Sequence, residues 1–186
     1  MPCRWQGQRP RKTMVIDIGC GRYKKPGSIG LDQTLNSKAD IVCDLNHFPW
    51  PLGDNVASEI HLSHILEHLE DLMKAMAEVH RIGRPGAKVF VVTPHFSSHN
   101  SYTDPTHRYH LAWGSFDHFT GEPFERHAGP PFRFRILERR LFFGGNVLLD
   151  NLGRLIAGLS VRWYERHVAW IFPAIEISCT LEVVKD

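Results

Sequence analysis

Met14-Val-Ile-Asp-Ile18, closed by Gly19-Cys20-Gly21, is the decisive stretch of this chain. A run with no polar alternation reads as a strand buried on both faces, which is the habit of parallel sheets, and the two glycines mark a tight turn at its end. Parallel strands need crossover connections. Further short strands are predicted at Ser28-Ile-Gly-Leu-Asp32, Asp40-Ile-Val-Cys43, Ser58-Glu-Ile-His-Leu62 and Lys88-Val-Phe-Val-Val-Thr93. Between the last two, Ile65, Leu69, Leu72, Met73, Met76 and Val79 recur at helical spacing and predict a helix with one buried face, broken at Gly83 and Pro85-Gly86. Strand, helix, strand in this order implies a right-handed crossover, so the fold class is α/β.

At 186 residues the chain suits one domain, expected over residues 13–186 behind a basic tail at 1–12. A formal net charge of +2 lacks the basic stripe of a nucleic-acid binder. No run approaches the roughly 18 apolar residues that cross a bilayer, and the Arg-rich start has no apolar segment behind it, so a cytoplasmic protein without a transmembrane segment is expected. Cys3, Cys20, Cys43 and Cys179 form no C-x-x-C pair, hence neither a zinc knuckle nor a disulfide framework, which fits a reducing compartment.

From His95 to Pro131 no period holds, and an irregular stretch that long inside a compact domain is usually functional or disordered. Six of the chain's 12 histidines fall there: His95, His99, His107, His110, His118 and His127. Beyond it, Phe132-Arg-Phe-Arg-Ile-Leu137 alternates like a strand with a solvated arginine face continuing to Arg139 and Arg140. Leu148, Leu152, Leu155, Ile156 and Leu159 form a helical apolar face, read with Trp163, Trp170 and Phe172 as core, and residues 175–184 read as a last strand.

A glycine turn after a strand lets backbone amides approach a ligand, and an acid ending the next strand, here Asp32, accepts hydrogen bonds from a ribose diol. Lys24 stands where the third glycine of a dinucleotide fingerprint belongs, and a purely structural tight turn is the competing reading. Taken in order, Val15-Ile-Asp-Ile-Gly-Cys-Gly21, Gly30-Leu-Asp32, Asp44-Leu45, Ser63-His-Ile-Leu-Glu-His-Leu-Glu-Asp71 and Arg84-Pro-Gly-Ala-Lys-Val-Phe-Val-Val-Thr-Pro94 resemble class I S-adenosylmethionine-dependent methyltransferases, most closely the methyltransferase type 11 group. The resemblance implies a Rossmann-like, three-layer sandwich. Its sheet would have seven mostly parallel strands, with the last strand antiparallel beside the fifth. It also implies that Asp17, Gly19, Cys20 and Gly21 line the amino-acid end of S-adenosyl-L-methionine, that Asp32 holds the ribose, that Asp44 and Leu45 flank the adenine, and that Ser63 and His64 sit near the amino acid or sulfonium. The chain departs from the pattern in its abbreviated first crossover and in having almost nothing before the first strand, where relatives often place helices that cover the cofactor, which leaves residues 95–131 as the expected lid and acceptor-binding insertion.

The acceptor is expected to be a small molecule. A neutral imidazole can take the proton a nucleophile loses near pH 7. His107 is the expected general base, with His95 and His110 as substitutes, Asp104 to orient the ring, and Arg108 or Tyr102 to position substrate. The alternative for the Asp-Pro-Thr-His turn is simple satisfaction of loop amides. Tyr109, Trp113, Phe116, Phe119 and Phe124 read as a satellite core under the insertion. No metal is expected, although two metal readings are open. One is a cluster of His95, His99, His107 and His110. The other is a zinc hydrolase built on His64-Ile-Leu-Glu-His68, with two imidazoles one helical turn apart and Glu67 as base. A non-catalytic cofactor-binding or partner subunit is the second functional reading, and a homodimer is among the expected assemblies.

Overall fold

The computed structural model describes residues 4–5, 14–120, 129–144 and 146–185. One sheet carries eight strands: β1 (Arg4–Trp5), β2 (Met14–Ile18), β3 (Ile29–Asp32), β4 (Ile41–Val42), β5 (Ala57–Ser63), β6 (Gly83–Pro94), β7 (Arg133–Phe142) and β8 (Glu176–Val184). Their order is β1-β4-β3-β2-β5-β6-β8-β7. Strands β2 to β6 run parallel, and β8 lies antiparallel between β6 and β7. From β2 onward this is the expected seven-stranded sheet. Arg4–Trp5, read from sequence as part of a tail, instead add an edge strand antiparallel to β4.

Ile16, Ile60 and Val89 lie in one register row and Ile18, Leu62 and Val91 in the next, each no more than 1% exposed. Helix α1 (Leu72–Ile82) covers this face with Ala75, Met76, Val79 and Ile82, all fully buried. The larger three of these side chains contribute roughly 1.5–3 kcal/mol each by burial. Asp71 caps α1 by accepting from the Lys74 amide at 2.9 Å, and Gly83 ends it and opens β6. The expected helix is therefore shorter than its apolar period. Residues 66–68 form a 3-10 turn and Leu69 is extended, so Leu66 and Leu69 are buried without belonging to α1.

Helical cover is uneven. Among the described residues no helix occupies the crossovers from β2 to β3, β3 to β4 or β4 to β5. The sheet face bearing Lys88, Phe90, Val92, Ser178, Thr180 and Glu182 stays half-buried or exposed. Lys25 and His61 lie over part of it, His61 stacked on Phe90 with ring centroids 4.9 Å apart. The third layer of the expected sandwich is thin at the centre of the sheet.

Two expectations downstream need correction. The apolar residues of α3 (Val147–Leu159) do not form core: Leu148, Leu155 and Leu159 are 81%, 69% and 81% exposed, and only Gly153 and Ala157 are buried. Helix α3 is seated through Gly153, which leaves no room for a side chain against Phe143, so the wide leucine face is turned outward. Trp163 and Trp170 are likewise exposed, while Phe172 packs against the core. The aromatics Phe116 and Phe119 are fully buried and continuous with the main core, with Tyr109 and Trp113 packed against it, rather than forming a satellite. Phe124 lies outside the described residues. Arg139 is no solvated surface residue either: it bonds the Trp113 carbonyl at 2.5 Å and pairs with Asp117.

Candidate active site

The first crossover is a loop held by two acids. Gly19 and Gly21 take left-handed backbones, φ 68° and 51°. The amides of Gly19 and Cys20 donate to the Leu31 carbonyl, which ties the turn to β3. Asp17 accepts from the Lys25 amide at 2.7 Å, while Asp32 accepts from the Gly21 amide at 2.8 Å and the Thr34 amide at 2.7 Å. These bonds do the work of the missing helix. They also leave Cys20 buried between two carboxylates, and burial, reinforced by Asp32 and Asp17, pushes its thiol up to about 12. Burial does the same to Cys179. Thiolate is the reactive form. Native protein at pH 8 is therefore expected to expose at most one of its four thiols to Ellman's reagent, because Cys20, Cys43 and Cys179 are buried, with all four reacting in denaturant. Two or more fast thiols in the native state would contradict this burial.

A cleft of about 770 Å³ opens at the carboxyl ends of β2, β3 and β5, where the strand order reverses and open α/β sheets bind ligands. Of the cofactor residues expected from sequence, Gly19, Asp32, Leu45 and His64 line it. Asp17, Cys20 and Gly21 stand behind the turn and shape it. Asp44 does not reach the cleft, because its carboxylate caps its own turn through the Asn46 amide and His47. Ser63 is exposed at the tip of β5 and is not among the lining residues. Gln33, Thr34 and Ile65 line the cleft without having been anticipated; the first two follow Asp32 directly, as a turn after the ribose-binding acid would. His64 holds a left-handed backbone, φ 52°. Its ring lies between Glu67 and Glu176, at 3.4 and 3.3 Å, and these carboxylates, Glu67 foremost, raise its pKa above the usual histidine value. Strain of this kind at a non-glycine residue concentrates at functional sites.

The insertion forms the rim. Its short helix α2 (Asn100–Thr103) and the turn after it are stitched onto the 66–70 segment. The amide of Arg108 donates to the Glu67 carbonyl at 2.7 Å, the Tyr109 hydroxyl donates to the Glu70 carbonyl at 2.9 Å, and His68 Nδ1 meets Thr106 Oγ1 at 2.8 Å. Pro105, Thr106 and Arg108 thereby become walls of the cofactor cleft. A second cavity, about 660 Å³, adjoins it through His64, His68 and Pro105 and is further lined by Glu67, Asn100, Asp104, His107 and Glu176.

The expected histidines are not gathered in one place. His107 lines the second cavity, its Nδ1 3.1 Å from the Ser101 carbonyl. His95 is fully buried, held by Ser97 and by Glu165 from α4 (Val161–His167), so it faces no substrate. His110 is bonded to Ser101 Oγ and stacked on Tyr102, outside both cavities. Asp104 orients Thr106, which in turn meets His68, rather than the His107 ring. Among the described residues His95, His99, His107 and His110 do not form a metal-holding group. His127 lies outside the described residues. The zinc-hydrolase reading fails locally, because residues 64–68 are a left-handed residue followed by a 3-10 turn and never place His64 and His68 one helical turn apart.

Sheet order and cleft together define the class I methyltransferase fold. A family model described as a methyltransferase domain matches residues 24–91, consistent with the type 11 group. No curated protein matches the chain in sequence. Among solved structures, an S-adenosylmethionine-dependent methyltransferase from Archaeoglobus fulgidus superposes with a TM-score of 0.63 at 18% identity, covering 96% of this chain and 87% of that one. One from Mesorhizobium loti gives 0.57 at 14% identity, covering 91% and 90%. Phosphoethanolamine N-methyltransferase 2 of Haemonchus contortus, solved with S-adenosyl-L-methionine, gives 0.60 at 15% identity; 95% of this chain spans 50% of that protein. The domain match covers residues 24–91, and the solved structures, at 18% identity or below, show the shared fold. No described helix is long and apolar enough to cross a membrane.

Proposed function

We propose that the chain binds S-adenosyl-L-methionine in the 770 Å³ cleft and transfers its methyl group to a small-molecule acceptor held in the adjoining cavity, in the cytoplasm. The observation that carries this reading is the juxtaposition of the left-handed Gly19 turn, the buried carboxylate of Asp32 and the apolar wall of Leu45 around one cleft. Asp32 uses one lone pair on each oxygen for the Gly21 and Thr34 amides and keeps the others for a ribose diol. The sulfonium leaves readily once attacked, so the protein's chief tasks are alignment and exclusion of water, which the segment stitched on through Thr106, Arg108 and Tyr109 serves as lid. His107 presents a ring nitrogen to the acceptor cavity and is the residue of the expected set placed to accept a proton.

Calorimetry with S-adenosylhomocysteine tests the cofactor assignment. Wild-type protein is expected to bind, and Asp32→Ala to bind at least about tenfold more weakly, the loss of one or two hydrogen bonds to a charged acceptor. Equal affinities would remove the assignment. A non-catalytic cofactor-binding subunit is the competing reading, and the fold alone does not assign methyl transfer, since it also builds the [4+2]-cyclase SpnF, a neighbour at TM-score 0.58 and 15% identity. Transfer of label from methyl-labelled cofactor into small molecules of a cell extract decides for the enzyme; cofactor binding without transfer decides for the subunit. The expected homodimer has the exposed leucine ridge of α3 as its seat, and sedimentation of a monomer would remove it.

A further inference from the structure

We propose that Glu67, His68 and His107 form a binding site for one divalent transition-metal ion, facing the cavity beside the cofactor cleft. The first observation is an incomplete carboxylate. Glu67 is 1% exposed; its Oε2 accepts from Thr93 Oγ1 at 3.0 Å, but its Oε1 has no hydrogen-bond partner among the described residues. His64 Nδ1 stands 3.4 Å from that oxygen without hydrogen-bond geometry. His64 is thus an ion-pair partner of this oxygen without a hydrogen bond to it, and a cation bonded directly to the buried carboxylate would supply the missing bond.

The second observation is the state of the two imidazoles beside it. Thr106 gives its single hydroxyl proton to Asp104 Oδ1 at 2.7 Å, so it can only accept at 2.8 Å from His68, whose Nδ1 must carry the proton. The Ser101 carbonyl likewise only accepts, so His107 Nδ1 is the protonated nitrogen there. In the neutral rings both Nε2 atoms therefore hold free lone pairs. A ring whose other nitrogen donates to a carbonyl or hydroxyl is the usual arrangement of a metal-ligating histidine. The two rings meet edge to face with centroids 4.6 Å apart, and one donor atom from each of the three residues lies within 4.8 Å of the others. Donors around one ion with bonds of about 2.1 Å sit roughly 3.4 Å apart, so small rotations of the partly exposed imidazoles close the set. Two imidazoles and one carboxylate suit zinc or cobalt and disfavour magnesium and calcium, which prefer all-oxygen shells.

The site uses part of the His-x-x-Glu-His motif in another way. Glu67 is a ligand and not a base, His64 is outside the set, and the third donor arrives from position 107 when the insertion docks. The cavity it faces is also lined by Asn100, Asp104 and Glu176. That an acceptor oxygen would bind there rests on the methyl-transfer reading; metal binding itself does not. When the ion is bound, His107 is its ligand and no longer free to act as a base.

The test titrates metal-free full-length protein with zinc by calorimetry and with cobalt by visible absorption, and titrates the same samples with S-adenosylhomocysteine. One zinc per chain is expected, and cobalt bands of a nitrogen- and oxygen-bound ion. His68→Ala and His107→Ala should each weaken zinc binding at least about tenfold, while His99→Ala, in the same insertion, should not. Both tested rings are partly exposed, so both histidine variants should fold, as unchanged circular dichroism checks, and they carry the test even where a Glu67→Gln variant fails to fold. No zinc bound by the wild type, or wild-type zinc affinity in both His68→Ala and His107→Ala, overturns the site. S-adenosylhomocysteine binding without zinc binding overturns the metal and leaves the methyl-transfer reading standing; zinc binding without S-adenosylhomocysteine does the reverse.

Discussion

Gly19→Ala is expected to abolish measurable S-adenosylhomocysteine binding, whereas Gly21→Ala keeps it within a few-fold of wild type. Both glycines hold left-handed backbones, so an added Cβ costs each about 1–2 kcal/mol of folding stability. The difference lies in what the new methyl meets. At Gly21 nothing lies within 4 Å, but at Gly19 it would stand 2.6–2.8 Å from three carbons of Ile65. Ile65 lines the cofactor cleft beside His64, and Leu66 immediately after it is buried in the core. The clash therefore has to be relieved by moving the cleft wall or the turn itself, and either displaces the surface the ligand touches. Calorimetry and thermal melts of both variants check this. If Gly21→Ala loses as much affinity as Gly19→Ala, the backbone conformation and not the Ile65 contact governs the site.

That contact also shows where sequence reasoning stops. The strands, their parallel order and the position of α1 follow from short apolar runs and one helical period, which local patterning records. That Gly19, Asp32, Leu45 and His64 line one cleft was readable because a cleft at the strand ends draws on residues at fixed places after each strand. Asp44 and Ser63 also stand at strand ends but do not line it; the Asn46 amide and His47 hold the Asp44 carboxylate in its own turn. The histidines were readable only as a surplus. His95 is buried by Glu165, 70 residues away, and His68 is linked through Thr106, 38 residues away, to Asp104. No spacing rule carries pairings of that range. The α3 ridge misled in the opposite direction, since apolar periodicity says which face is apolar and not whether anything covers it.

Glu78→Ala is expected to destabilise the protein by about 3 kcal/mol, lowering its melting temperature by roughly 6–12 °C for a chain of this size. The connection from β4 to β5 has no helix, and a charged clamp, together with the Asn55 amide on the Arg81 carbonyl, holds it to α1. Glu78 Oε2 accepts from the Trp50 amide and from Arg81 Nη2, each at 2.7 Å, and its Oε1 accepts from Arg81 Nε at 2.7 Å. Arg81 in turn donates to the carbonyls of Leu52 and Trp50 and to Asp54. These carboxylates, Glu78 foremost, hold the guanidinium pKa well above its ordinary value. Removing Glu78 strands the Trp50 amide and takes from Arg81, only 27% exposed, the less exposed of its two carboxylate partners, leaving it Asp54 and two carbonyls. Breaking a buried pair costs about 3–5 kcal/mol, and the partial exposure of Arg81 places this case at the lower end. The consequence extends to the site, because Trp50 donates its indole proton to the carbonyl of Leu45, the apolar wall of the cofactor cleft. Denaturant unfolding should thus show the loss of stability, and calorimetry at a temperature where the variant is folded should show weaker S-adenosylhomocysteine binding as well. A stable Glu78→Ala protein would mean that the Leu52 and Asp54 contacts suffice to hold the segment. A destabilised protein with undiminished affinity would mean that Leu45 is positioned by its own burial, at 3% exposure, and not by the clamp behind it.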